Sequence, residues 1–294
     1  MYLDSLAIII AFARILSASF LNQIPFPAPP PNGDIHLAIN PTCGQLSGDT
    51  ADINAGIDKH SIKTIVSFGA SSSFYFYEQP SLNVKQDTGA CIDLKLWPSN
   101  PRKIDFLGQM KTFLGQNNAL DPNTTLYSIF FGINDYLASL TQVLLDQIKI
   151  LASPPTNARK FMILDVYGRG ITIPSGEAFK QIIYSGLSSF RVNGIQIIND
   201  DKHQHEQRNV TLDISYINFA NIWEGVLGPH PGFEKFGYVS EDACTKCTAE
   251  LGCTTIGMCD DPEHYFYWIP GHPSKETMRI MADYVREVWD QCRV

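Results

Sequence analysis

Three short loops in this chain carry side chains that together could transfer an acyl group: Gly69-Ala70-Ser71, Gly132-Ile133-Asn134-Asp135 and Gly271-His272-Pro273. A serine hydroxyl beside a histidine that accepts its proton becomes a nucleophile, and an amide side chain close by can hold the oxyanion formed when that hydroxyl attacks a carbonyl. Taken singly, each loop has a plainer reading: Ser71 fills a tight turn, Asn134 or Asp135 caps a helix, and His272 packs or caps a turn. What sets His272 apart is its setting, Tyr265-Phe266-Tyr267-Trp268-Ile269-Pro270-Gly271-His272-Pro273-Ser274. Four aromatics able to bury deliver the ring to a Gly/Pro turn just ahead of an amphipathic helix. Such a ring is fixed yet exposed, as a general base must be.

The loops need elements to position them. The β-branched run 62–68 stops at Gly69 as a buried strand does, and a second apolar run, 126–131, stops at Gly132. Further strands are expected over 161–166, over 194–198 and, from apolar/polar alternation, over 210–219. Helical spacing predicts helices over 104–114 (Phe106, Leu107, Met110, Phe113, Leu114), over 133–151 (Leu137, Leu140, Leu144, Ile148, Leu151) and over 177–190. The final helix begins near Ser274, its N-cap, with Met278, Met281, Ala282, Val285 and Trp289 on one face. Segments 97–102 and 167–174 read as loops. Segment 203–208 reads as a charged insertion, in which His203 and His205 are spaced for a strand-borne metal pair but read more simply as solvated. Strands alternating with helices of these lengths make an α/β fold, a parallel sheet covered on both faces. Ligands gather at the carboxyl ends of such strands, where the three polar loops are expected.

Composition narrows the partners. The 294 residues, 44% of them hydrophobic, can form one large domain or two small ones. A formal net charge of −8 argues against nucleic acid, whose binders concentrate Lys and Arg on one surface. Residues 5–13 are an apolar run, followed by Arg14 and the small residues Ser17-Ala18-Ser19, which is the pattern of a secretory leader. Asp4 stands where a leader has a basic residue and Arg14 interrupts the run, so an uncleaved or unusual leader is the alternative. The run falls short of the roughly 20 apolar residues that span a bilayer, so no stable membrane anchor is expected. The expected organisation is a signal peptide over 1–19, a Pro-rich linker over 20–33 and one domain over 34–294.

Seven cysteines are present: Cys43, Cys91, Cys244, Cys247, Cys253, Cys259 and Cys292. Four crowd 244–259, a spacing that would suit zinc in a cytosolic protein. A leader and two glycosylation sequons, at Asn123 and Asn209, favour disulfides among Cys244, Cys247, Cys253 and Cys259 that staple a loop. The odd seventh implies an unpaired thiol or an intermolecular bridge.

Together, and in this order, the loops resemble the SGNH/GDSL hydrolase family over most of the chain after the linker. Phe68-Gly69-Ala70-Ser71 looks like the family's first block, which implies Ser71 as the nucleophile with its own amide in the oxyanion hole. Phe131-Gly132-Ile133-Asn134-Asp135 is similar to the third block, which implies Asn134 as an oxyanion-hole donor. Phe266-Tyr267-Trp268 with His272-Pro273 looks like the fifth, which implies His272 as the base. Phe236-Gly237-Tyr238-Val239, the cysteine loop and Asp261-Pro262-Glu263-His264-Tyr265 resemble the secreted fungal acetylesterases and related GDSL esterases. The resemblance implies a three-layer sandwich with a doubly wound, mostly parallel sheet in flavodoxin-like order. No cofactor is implied, and a secreted monomer acting on a small-molecule or carbohydrate ester is expected.

Three positions depart from the family pattern. Ala70 precedes the serine where the family has aspartate, and Ile269 stands three residues before the histidine, where the triad carboxylate belongs. Pro101, after Ser99-Asn100, falls where the family's second block supplies a glycine amide, a role that Gly89 could take instead. Proline has no N–H, and a missing oxyanion donor costs about 2.7–4 kcal/mol. A lost orienting carboxylate can cost about 10⁴ in kcat. Asp260, Asp261 or Glu263 could orient the ring in its place, and so could a backbone carbonyl. Two readings follow: a secreted serine esterase that removes a short acyl group, above all acetyl, with transfer to an alcohol as a variant, or a descendant that keeps the fold to bind a glycan or ester ligand.

Overall fold

The computed structural model describes residues 33–41, 57–69, 90–98, 103, 105–132, 138–165, 170–201, 204–248 and 252–292. The expected leader and nearly all of the linker, Cys43, Ala70, Ser71, Gly89, Pro101, Asn134, Asp135 and His203 lie outside the described residues. In chain order the elements are β1 (Thr64–Gly69), α1 (Phe106–Gly115), β2 (Thr125–Phe130), α2 (Ala138–Ala152), β3 (Lys160–Asp165), α3 (Pro174–Val192), β4 (Ile195–Asp201), β5 (Gln204–Val210), β6 (Asp213–Asn218), α4 (Ala220–Leu227), β7 (Ser240–Ala243), β8 (Cys247–Thr248), β9 (Gly252–Cys253), β10 (Tyr265–Ile269), β11 (His272–Pro273) and α5 (Lys275–Gln291).

Strands β1, β2, β3 and β6 form a parallel sheet in that order. Every residue of β2 and of β3 is buried, as strands sandwiched between two helical layers must be. Because successive side chains point to opposite faces, each strand feeds two cores. Phe68, Tyr127, Ile129, Phe161, Ile163 and Ile214 pack with α1, α2 and α3 on one face. Leu126, Phe130, Met162, Leu164 and Ile217 pack with α4 and α5 on the other. This is the α/β fold expected from the sequence, compatible with an SGNH-like hydrolase. Among the described residues the order runs without the reversal beyond β1 that a flavodoxin-like sheet would show.

Several expectations are corrected. The charged insertion falls within an antiparallel hairpin: β4 and β5 pair in continuous register, from Ile195 opposite Val210 to Asp201 opposite Gln204. Ile195 and Ile197 anchor its base in the core, whereas the adjacent Gln207, Arg208 and Asn209 are all exposed. Three consecutive exposed polar residues show no alternation of apolar and polar character, so no period-2 signal marks this part of β5. Val210 therefore ends β5, and the next strand begins at Asp213, not at 210. On α5 the buried stripe is Thr277, Ile280, Met281, Tyr284, Val285, Val288 and Trp289, while Ala282 is exposed and Met278 half-buried. In the aromatic run only Phe266 is fully buried; Tyr265, Tyr267 and Trp268 stay half-buried, and the register of β10 with its partners is irregular between Tyr265 and Ile269.

Helix starts follow local chemistry. Asp105 caps α1, its Oδ1 accepting from Gly108 N at 2.7 Å and its Oδ2 from Leu94 N at 2.9 Å. Ser274 caps α5 as expected, accepting from Thr277 N at 3.2 Å. The fully buried Glu276 in the first turn of α5 lies 3.1 Å from Lys275 Nζ and 2.7 Å from Arg279 Nε, so its charge is paired.

The cysteine cluster forms two nested disulfides, Cys244–Cys259 and Cys247–Cys253. The inner one joins register partners of the two-residue strands β8 and β9. Cys292 is also disulfide-bonded, and Cys91 is a buried thiol. Among the described residues no helix is long and apolar enough to cross a membrane.

Candidate active site

Strands β1 and β2 end side by side at one end of the sheet, with Gly69 opposite Phe130; Ser71 and Asn134, which follow them in sequence, lie outside the described residues. Two described features prepare that end. Gln109 of α1 clamps the last residue of β1 at both backbone groups, its Oε1 accepting from Gly69 N at 3.1 Å and its Nε2 donating to Gly69 O at 2.9 Å. Gly132 has φ +113°, and a Cβ there would meet the Phe179 ring at 2.8 Å, so only glycine fits. Beside it, 3.9 Å from where that Cβ would stand, is Oδ1 of the buried Asp165 at the end of β3. The neighbouring Tyr216 hydroxyl is pushed well above its usual range, by burial first and by the Asp165 carboxylate second.

His272 lies in β11, which pairs antiparallel with β10, and Ile269 is its register partner. The third strand of this small sheet, β7, runs parallel to β10 on its other side. Three bonds tie the segment around β7 to the β10 segment: Val239 N to His264 O at 2.9 Å, Cys244 N to Tyr267 O at 2.9 Å and Thr245 N to Trp268 O at 2.8 Å. Cys244 also carries the outer disulfide, so the covalent staple braces the strand that leads to His272. From the sheet-side helix α4, Trp223 Nε1 donates to Tyr267 Oη at 2.9 Å while its ring packs edge-on against Phe266. The imidazole is thus half-buried at the tip of a hairpin braced from three directions.

At the ring, Nδ1 lies 3.2 Å from the Pro270 carbonyl oxygen. A carbonyl can only accept, so the proton of this bond sits on Nδ1. That tautomer leaves Nε2 with its lone pair, the form of imidazole that removes a proton from a hydroxyl. Gly271, at φ +72°, provides the left-handed turn that folds Pro270 back toward the ring.

Of the acids expected to compete for this role, Asp260 and Asp261 are exposed. Asp261 Oδ2 lies 2.7 Å from Nδ1 of a different histidine, His264, on the same 3-10 turn. Glu263 accepts from Lys275 Nζ at 3.0 Å. Ile269 is 5% exposed, so an apolar side chain fills the place where the family pattern has a carboxylate. Both sequon asparagines, Asn123 and Asn209, are exposed, and Asn209 Nδ2 donates to Asn193 O at 2.8 Å.

Sequence reasoning missed Gln109, whose clamp on Gly69 looks from sequence like an ordinary polar position on an amphipathic helix. It also left a backbone carbonyl, with no residue named, as one option among several, since main-chain acceptors carry no residue signature.

No family model matches the chain. Part of it is similar to a GDSL esterase/lipase of Arabidopsis thaliana, 26% identical over a 92-residue alignment that takes in 27% of this chain and 25% of the relative. The chain thus spans about a quarter of the length of the curated relative it matches. Alongside the parallel sheet, this similarity supports a GDSL-family relationship and a hydrolase of the GDSL type.

Proposed function

We propose that the chain is a secreted serine esterase that hydrolyses a short acyl ester, acetyl in the first place, of a carbohydrate or small natural product, in the manner of the fungal GDSL acetylesterases. Ser71 attacks the ester carbonyl as His272 Nε2 takes its proton. The Ser71 amide and the Asn134 side chain hold the oxyanion, and collapse of the tetrahedral intermediate expels the alcohol, which takes a proton from His272. Water, deprotonated by the same Nε2, then releases the acid and restores the serine.

The observation that carries this reading is the braced hairpin that holds His272 with its Nδ1 at the Pro270 carbonyl, a contact that supplies what the missing triad carboxylate would otherwise do for the tautomer. A carbonyl contributes no negative charge to steady the imidazolium, so turnover below that of a full triad is expected. The departures at Ala70, Ile269 and Pro101 favour the second reading, a binding protein that keeps the scaffold. Hydrolysis of p-nitrophenyl acetate by the full chain and by Ser71→Ala separates the two. The esterase reading predicts a fall on the order of 10³-fold or more in kcat for the variant. Equal rates for the two proteins would leave the binding reading.

A further inference from the structure

The hairpin that presents His272 has a return strand, β11, of only two residues, and its register with β10 shifts between Tyr267 and Ile269. So short a ribbon is not stable alone, and its geometry must be imposed from outside. The polar groups that impose it are buried behind it. Phe266, Ser274, Thr277 and Tyr238 are each at most 2% exposed. The Phe266 carbonyl accepts Ser274 N–H at 2.9 Å, closing the hairpin at its base, and also accepts the Thr277 hydroxyl at 2.7 Å. Thr277 has one hydroxyl proton, and that bond uses it. Its two other neighbours, Tyr238 Oη at 2.8 Å and Ser274 Oγ at 3.1 Å, must therefore both donate to Thr277 Oγ1, while Ser274 Oγ accepts Thr277 N–H at 3.2 Å. Every proton in the network then has one direction. Burial, the largest influence on it, pushes the Tyr238 hydroxyl above its ordinary range, which keeps it a donor.

Tyr238 is itself fixed: its ring packs edge-on to Phe266, and the preceding Gly237, at φ +93°, lets the 34–36 arm pass so closely that a Cβ would meet the Asp34 carbonyl at 2.1 Å. We propose that Tyr238 is a positioning residue for His272, acting through Thr277 and the Phe266 carbonyl to hold the hairpin on which the imidazole and its Pro270 acceptor meet. The proposal rests on the esterase reading of His272, but it concerns the ring's placement, which can be read without turnover.

Tyr238→Phe removes the donor and keeps the ring, Thr277→Val removes the relay, and Thr277→Ser preserves it. In the full-length chain, Tyr238→Phe and Thr277→Val should lower kcat for p-nitrophenyl acetate by about 10- to 100-fold while KM moves by less than about twofold, as misplacement of a catalytic group does. Nitrogen-15 NMR should show His272 passing from the Nδ1–H tautomer to a mixture in both, and Thr277→Ser should behave like the parent in both readouts. Variants that melt lower yet keep the parent's kcat, pH profile and tautomer would overturn the proposal, since a purely structural role moves only the melting temperature. Should the parent show no Ser71-dependent hydrolysis, the esterase reading fails and the tautomer decides alone. A shift in Tyr238→Phe would then sustain the proposal, and an unchanged tautomer would overturn it.

Discussion

His264 and His272 stand at opposite ends of β10 and hold their rings by different means. His264 closes a 3-10 turn whose i,i+3 spacing brings the Asp261 carboxylate to 2.7 Å from its Nδ1. His272 follows the Pro270-Gly271 turn and meets a main-chain carbonyl at 3.2 Å. The stretch thus contains a histidine with an acid and a histidine with an amide oxygen, and it is the second that the proposed esterase reading takes as the base. A third case shows what the carbonyl contact does not mean. His36, whose side chain is exposed, makes the same contact, Nδ1 to the Asp34 carbonyl at 3.2 Å. A bond to the carbonyl two residues back is therefore a local backbone conformation and does not by itself make a base. What distinguishes His272 is the frame, a hairpin bonded to β7, covered by Trp223 and anchored at Phe266, which keeps that conformation at one place in the fold.

The largest effect expected from this comparison is at the ring. His272→Ala should reduce Ser71-dependent hydrolysis by on the order of 10³-fold or more, whereas His264→Ala should leave kcat within about threefold, measured on the same ester. Equal losses in the two variants would mean that the Asp261–His264 pair belongs to the machinery.

A second prediction separates the frame from the chemistry. In the chain-entropy account, the outer disulfide, spanning 15 residues, should contribute about 3 kcal/mol and the inner one, spanning 6, about 2 kcal/mol, so the paired serine variants should unfold in that order in urea. Because Cys244 N bonds Tyr267 O, only the Cys244→Ser/Cys259→Ser variant should also slow hydrolysis. A slower inner-bridge variant would show that the tip of the cysteine loop, not its anchorage on β10, reaches the site.

How much of this was legible in the sequence follows from which interactions have a residue signature. Strands β2 and β3 were readable because burial on both faces demands apolar runs, and β1, in which only Phe68 is buried, was readable from its β-branched residues. Helix α5 was readable because Ser274 and a 3.6-residue stripe coincide, although Ala282 shows that the stripe's centre was placed one position off. Of the β4–β5 hairpin only the start was readable: a strand was expected over 194–198, whereas the adjacent Gln207, Arg208 and Asn209 of β5 are all exposed and carry no apolar signal. Disulfides were expected from the crowding of four cysteines, but their nesting depends on β8 pairing with β9. At the site, the histidine and its turn could be found from side-chain identities. The acceptor on its ring could not, because it is a carbonyl, and neither could the Tyr238–Thr277 bond, whose members are 39 residues apart. Asp261, one of the side-chain acids that could be read as an orienter, has its carboxylate at His264.

The smallest effect is the most direct test of the central claim, that the Pro270 carbonyl and not an acid orients His272. In the Asp260→Asn/Asp261→Asn double variant, two of the three carboxylates weighed as orienters become amides of nearly the same shape; the third, Glu263, accepts from Lys275. If the carbonyl orients the ring, kcat for p-nitrophenyl acetate should stay within about threefold of the parent; a loss approaching 10⁴-fold, the cost of removing a triad carboxylate, would contradict the account and make one of those acids the missing third member.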